Sequence, residues 1–160
     1  DGGSDLFRIT SESPFLHYQL VEEAWNKHIE NSNDGTFLDD IIDGCGFEII
    51  KMSALNKSWA EGSSRHRSEL CSLYIRENKD LFNLEIVYPP KTLRRFDLRL
   101  TVDYPEDLAI CRKIYQKLRK QSPLFKLTSI IKFLDNNPDL KKMIKPYLKE
   151  GYSSMYRWGK

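Results

Sequence analysis

The chain has 160 residues, enough for one domain with a sizeable core, and its 40% hydrophobic, 12% aromatic and 30% charged residues match an ordinary globular protein. No apolar run approaches the roughly 18 residues that a membrane span requires, and no secretory signal opens the sequence. Charge is uneven: residues 111–160 carry 13 Lys+Arg against 3 Asp+Glu, whereas residues 1–110 carry 12 against 20. The C-terminal lysines alternate with Leu, Ile, Phe and Tyr at helical spacing and accompany no recognition motif. They read as a solvated helix face, and nucleic-acid binding is not expected. Cys45, Cys71 and Cys111 form no CxxC pair and read as buried, reduced thiols of a cytoplasmic protein. His17, His28 and His66 have no ligand spacing, which argues against structural zinc.

In chain order, Asp1-Gly2-Gly3-Ser4-Asp5 leads without an initiator Met into a strand over about 6–10, as if the chain were part of something longer. Ser11-Glu12-Ser13-Pro14 stops that strand. Leu20, Val21, Ala24, Trp25, His28 and Ile29 predict an amphipathic helix over about 18–30, ended by turn residues 31–35. After Gly44-Cys45-Gly46 comes a short strand, Phe47-Glu48-Ile49-Ile50. A helix follows from a Ser53 cap through Trp59 to Gly62. Ser64 is expected to cap a helix over about 65–77 with Leu70, Leu73 and Tyr74 inside. Residues 82–88 predict a strand closed by Pro89-Pro90, and 98–102 predict another. Helix 105–119 would turn Leu108, Cys111, Tyr115 and Leu118 inward, and helices over about 127–136 and 138–149 complete an α/β pattern.

Asp103 follows the last predicted strand directly, and Pro105 suits the first position of the next helix. Glu106 and Asp107 lie in its first turn, where the helix dipole favours negative charge. Tyr104 offers no short acceptor as a cap, so Asp103 or Asp107 must help satisfy the free N–H groups. From local sequence these acids read first as a helix cap, with a divalent cation at a strand end of an open α/β sheet as the alternative. Arg99 alternates with Leu98 and Leu100 and points away from them, toward a carboxylate or an anionic ligand; Glu69 and Asp103 are its candidate ion-pair partners. Glu48, after the Gly44-Cys45-Gly46 bend, reads as a surface glutamate on a strand.

The run Arg99-Leu100-Thr101-Val102-Asp103-Tyr104-Pro105-Glu106-Asp107-Leu108, with Arg112-Lys113-Ile114-Tyr115, resembles the C-terminal signature of sugar cytidylyltransferases. The resemblance is to the spore coat polysaccharide, acylneuraminate and 3-deoxy-manno-octulosonate types. Ser68-Glu69-Leu70 with Tyr74-Ile75 resembles the family's Arg-Glu-His…Tyr-Ile helix, and Phe47-Glu48-Ile49 its short glutamate-bearing strand. Arg8-Ile9-Thr10-Ser11-Glu12-Ser13-Pro14 resembles its Arg-x-Thr-Gly-Asp-x-Pro segment. The resemblance implies a nucleotide-diphospho-sugar transferase-like α/β fold with a mixed sheet flanked by helices. It also implies transfer of CMP from CTP to a sugar or sugar acid, with release of pyrophosphate, for cell-surface polysaccharide synthesis.

It further implies Mg²⁺ held by Asp103 and Glu12, with Glu48, Arg99 and Glu69 at the substrate, and no residue acting by covalent chemistry. Glu12 stands where the family has aspartate and Ser11 where it has glycine. The family's N-terminal strand and basic, glycine-rich triphosphate loop have no counterpart in residues 1–160. The expectation is one α/β domain forming the C-terminal part of the fold, with 121–160 as its helical extension. Such a piece alone is expected to be inactive, and a non-catalytic sugar-binding or assembly domain is the alternative. An uncovered sheet edge would favour a homodimer.

Overall fold

In the computed structural model, which describes residues 3–149, the sheet is built around a strand that hydrophobic alternation does not reveal. Strands β1 (Asp5–Arg8), β2 (Gly35–Leu38), β3 (Glu48–Lys51) and β4 (Leu84–Val87) form a four-stranded sheet in the order β1-β3-β2-β4. β3 runs antiparallel to both β1 and β2, and β2 runs parallel to β4. All four residues of β2 are buried, because the strand lies inside the sheet with helices on both faces. Its sequence therefore shows no alternation, and the turn residues before it conceal where it starts. This strand is the main element missing from the sequence reading.

The register sorts the side chains onto two faces. Phe37 opposite Glu48 and Ile50 opposite Leu6 belong to one face, where Phe37, Ile50, Ala54, Tyr74, Ile75 and Phe82 make a small core. Helices α2 (Met52–Glu61) and α3 (Leu73–Glu77) supply that side. Thr36 and Ile49, paired with each other, point to the opposite face, as do Leu38 and Val87. There a larger core joins Ala24 of α1 (Val21–Glu30) to α4 (Pro105–Leu118), α5 (Leu127–Asp135) and α6 (Pro138–Ile144). Helices α5 and α6 contribute Leu127, Ile130, Leu134, Leu140 and Ile144 to this same core. Of the expected helical extension, α5 and α6 pack against α4 and against each other, and residues 150–160 lie outside the described residues.

Several local expectations change. Residues 98–102 do not join the sheet: Leu98 and Leu100 are buried, and Arg99 forms one isolated parallel bridge with Asp43. Two loops claim this segment, since Leu100 N donates to Asp43 O at 2.7 Å and Val102 N to Glu12 O at 3.0 Å. The expected helix over 65–77 is broken into a 3₁₀ turn, Ser64–His66, and the short α3. Ser63 rather than Ser64 caps the turn, sharing a capping box with His66. α2 begins one residue before Ser53, with Lys51 at its cap. α4 is rotated from expectation: Asp107, Ile110, Cys111 and Ile114 are buried, while Leu108 and Tyr115 are exposed. Drawing the Asp107 carboxylate inward turns the helix by one position.

Candidate active site

The site begins with the loop that leaves β2. Asp39 and Asp43 flank Asp40, which has a positive φ of 56°, and Ile41 and Ile42, both buried. The loop closes at Gly44, whose φ of +83° suits glycine, and a Cβ there would lie 2.4 Å from Thr101 N and 2.7 Å from Leu100 C. Close backbone approach at Gly44 thus seats the loop on segment 98–102. Arg8 at the end of β1, Glu48 at the start of β3 and Asp39 after β2 lie at one end of the sheet, because the strands between them alternate in direction.

On one side of the loop, Arg99 is buried and collects three carboxylates. Its Nε lies 3.0 Å from Asp107 Oδ1, its Nη2 3.0 Å from Asp107 Oδ2, and its Nη1 3.4 Å from Asp43 Oδ2. Nη2 also pairs with Asp103 Oδ2. Asp107 Oδ2 in addition accepts the backbone N–H groups of Asp103 and Tyr104, both at 3.1 Å. Asp107 is therefore the acid that caps α4, and with Asp43 it is a partner of Arg99 that sequence reasoning missed. Burial pushes the Asp43 carboxyl above the ordinary carboxylate range, against the opposing pull of Arg99. The Arg99 guanidinium also stands 5.4 Å over the Tyr104 ring, which stacks on Tyr147 at 4.1 Å.

On the other side of the loop, Glu48 is buried and both of its oxygens are engaged. Oε1 accepts from Ser72 Oγ at 2.6 Å and Arg76 Nη2 at 2.8 Å, and Oε2 accepts from Arg8 Nη1 at 2.8 Å. Burial works against its charge, but Arg76 above all, with Ser72 and Arg8, holds its carboxyl below the usual range. Arg76 reaches Asp39 Oδ2 at 2.8 Å and lies 4.0 Å over the Phe37 ring. Glu48 is thus neither a surface glutamate nor an open ligand, but the centre of a buried network. Glu69 is exposed beside it, and its carbonyl accepts Arg8 Nη2 at 2.8 Å.

Of the predicted residues, the fold brings Arg99 into contact with Asp103 and brings Glu12 alongside them through its carbonyl on Val102 N. Glu48 and Glu69 gather around Arg8, and the 39–43 loop links the two groups. The side chain of Asp103 is 49% exposed and its ion pair with Arg99 engages Oδ2, while Glu12 is partly exposed with Oε2 3.3 Å from Ser11 Oγ. Among the described residues no three His, Cys, Asp or Glu side chains cluster as a metal cage. The Asp103 and Glu12 carboxylates are hard oxygen donors of the kind Mg²⁺ takes, on segments joined by the backbone bond from Val102 N to Glu12 O. Asp39, Asp43 and Arg76 escaped sequence reasoning. The adjacent acids Asp39-Asp40 after an apolar run, and Asp43 before Gly44, were the available signals.

No protein-family model matches the chain. It is 32% identical over 143 residues to an uncharacterised protein of Methanocaldococcus jannaschii, covering 88% of this chain and 57% of that relative. It is 26% identical over 137 residues to the spore coat polysaccharide biosynthesis protein SpsF of Bacillus subtilis, covering 85% of this chain and 57% of the relative. Its fold superimposes with a TM-score of 0.73 on a cytidylyltransferase from Leptospira borgpetersenii, at 19% identity, over 86% of this chain and 58% of that one. The chain therefore spans rather more than half the length of the proteins it matches. Its mixed sheet flanked by helices has the fold of that cytidylyltransferase over the matched span, and in sequence the chain is similar to a spore coat polysaccharide biosynthesis protein.

Proposed function

We propose that the protein transfers CMP from CTP to a sugar, giving a CMP-sugar and pyrophosphate for cell-surface polysaccharide. The observation that supports this reading is the backbone bond from Val102 N to Glu12 O, which sets the Glu12 loop beside the segment carrying Arg99 and Asp103 in a cytidylyltransferase-like fold. A sugar hydroxyl oxygen would bond to the α-phosphorus as the bond to the bridging oxygen breaks. Pyrophosphate would leave and the hydroxyl proton would pass to solvent. Asp103 and Glu12 would hold Mg²⁺, which when bound neutralises phosphate charge. Arg99 would set the position of Asp103. Glu69 would meet the sugar from its exposed position, and Glu48 would act from beneath by fixing Arg8 and Arg76. Catalysis in this scheme is positioning and electrostatics.

The reading places the protein in the cytoplasm, as a homodimer. Its three cysteines are free, and no helix among the described residues is long and apolar enough to cross a membrane. Calorimetric titration of the full-length protein with CTP and Mg²⁺, followed by assay of pyrophosphate release with a panel of sugars, tests the activity. Binding of CTP and sugar-dependent pyrophosphate release are expected. No heat at millimolar CTP would overturn the transferase reading and leave a non-catalytic sugar-binding domain. A clean monomer in sedimentation equilibrium would remove the dimer.

A further inference from the structure

Helix α6 leads the chain back to the candidate site. It is anchored by Leu140 and Ile144 in the large core and runs on into a 3₁₀ turn, Lys145–Tyr147. That turn lays the Tyr147 ring on the Tyr104 ring, with 4.1 Å between centroids and 18° between planes. The Tyr147 hydroxyl also donates to the Glu106 carboxylate in the first turn of α4. The core pair Phe15 and Phe125, by contrast, meets edge to face at 5.3 Å and 78°. Tyr104 and Tyr147 are each half-buried and belong to neither core cluster, so their parallel stack is a contact of its own.

The same Tyr104 ring has the Arg99 guanidinium 5.4 Å from its centre. A guanidinium aims its N–H donors in its plane and packs its faces on aromatic rings, so this ring bears on where Arg99 rests. Asp103 depends on that placement more than the other carboxylates do. Asp107 engages both Nε and Nη2, each at 3.0 Å, and Asp43 faces Nη1 at 3.4 Å. The Asp103 carboxylate meets Nη2 alone, a donor it shares with Asp107, and its side chain is 49% exposed. A half-exposed carboxylate on one shared donor gains rotamers once that donor shifts. Tyr147 thus reaches Asp103 through ring on ring, ring on guanidinium, and guanidinium on carboxylate.

We propose that Tyr147 is a positioning residue for Asp103: its stack keeps the Tyr104 ring against Arg99, and Arg99 so placed keeps the Asp103 carboxylate in one orientation. The proposal rests on the transferase reading for the use made of that carboxylate, and deepens it by making the C-terminal helices part of the site. The orientation itself is measurable without substrate. The test compares the full-length protein with its Tyr147→Phe, Tyr147→Leu and Tyr88→Leu variants. Three-bond couplings across the Asp103 Cα–Cβ bond read its rotamer, and CTP-dependent pyrophosphate release with Mg²⁺ reads its use. The phenyl ring of the first variant keeps the stack and loses the bond to Glu106, whereas the second keeps apolar volume and loses the stack. Tyr88, with Arg94 5.3 Å over its ring, is a control of the same kind away from the site.

Couplings of a single Asp103 rotamer are expected in the parent protein, in Tyr147→Phe and in Tyr88→Leu, and averaged couplings in Tyr147→Leu. Pyrophosphate release should fall about fivefold to tenfold in Tyr147→Leu, the range that loss of one aromatic pair supplies. It should stay near the parental rate in the other two. A lowered unfolding midpoint in Tyr147→Leu with unchanged Asp103 couplings would make the stack a structural tie and overturn the proposal. Averaged couplings in the parent protein, or in Tyr147→Phe as much as in Tyr147→Leu, would overturn it as well. Parental release by Tyr147→Leu would do the same, whatever its couplings. A parent protein that releases no pyrophosphate while the couplings behave as expected sinks the transferase reading alone.

Discussion

Asp107 Oδ2 accepts a hydrogen bond from Arg99 Nη2 at 3.0 Å and, at the same time, the Tyr104 backbone N–H at 3.1 Å. One buried carboxylate thus caps α4 and anchors the arginine that holds Asp103. Removing it leaves Arg99 as a buried, under-compensated cation and frees two N–H groups. Asp107→Ala is expected to cost about 3–5 kcal/mol, measured by urea unfolding. Asp107→Asn keeps an acceptor for the helix N-terminus and should cost less.

Asp103 shows the opposite balance. Its side chain is half exposed, so Asp103→Asn should change stability by less than about 1 kcal/mol. In the full-length protein the same substitution is expected to reduce CTP-dependent pyrophosphate release by about 100-fold, equivalent to roughly 3 kcal/mol in the transition state. Glu12→Gln should produce a comparable fall. Unchanged release in either variant would remove that residue from the metal site.

Glu48 predicts the acid limb of stability. Its carboxyl lies below the ordinary value of 4.5 in the folded chain, chiefly through Arg76 acting against burial. A group depressed on folding stabilises above its unfolded pKa, and that contribution is lost as pH falls through the folded value. Glu48→Gln should therefore flatten the fall in stability below about pH 4.5 and cost about 3–5 kcal/mol at neutral pH, because Arg8 and Arg76 lose their partner. Denaturant midpoints across pH 2 to 7 would show both effects. Asp43, raised by burial, contributes with the opposite sign: its share of stability declines as pH rises through its range.

At Gly44 the constraint is steric. With φ at +83° and Thr101 N 2.4 Å from the position of a Cβ, neither the glycine nor the backbone opposite can yield cheaply. Gly44→Ala should destabilise by more than the roughly 1–2 kcal/mol of a left-handed alanine alone. It should also shift the Arg99 segment, seen as altered amide signals at Leu100 and Thr101. Unchanged signals there would contradict the seating of the loop on this segment.

Thiol reactivity gives a separate check on the core. Burial pushes the Cys111 thiol up to about 12 and Cys45 well above the ordinary value. Neither should be alkylated by iodoacetamide at pH 8 until the chain unfolds, whereas Cys71, only partly buried, should react first. Mass spectrometry of labelled peptides reads the order directly.

Helices α1 and α4 were legible because their apolar residues recur at helical spacing and because Pro105 marks a start. β3 and β4 were legible as short β-rich runs bounded by Gly or Pro. β2 was not, since burial on both faces erases alternation. The segment 98–102 looked like a strand because Leu98, Leu100 and Val102 alternate, yet its backbone partners are Asp43 and Glu12 in loops.

For the site the division is similar. Chain chemistry placed a carboxylate, Asp103, ahead of a proline-opened helix and an arginine, Arg99, before it; both meet in the fold through Arg99 Nη2. Nothing local could show that Asp107 would turn inward or that Asp43 would reach Arg99 from 56 positions away. Nor could it show that Glu48 would be enclosed by Arg8, Ser72 and Arg76. Periodicity and capping act over a few residues and are written in the order of the chain. Which buried charge answers which depends on distant segments being brought together, and a low-dielectric interior, where each buried charge must find a partner, enforces that choice.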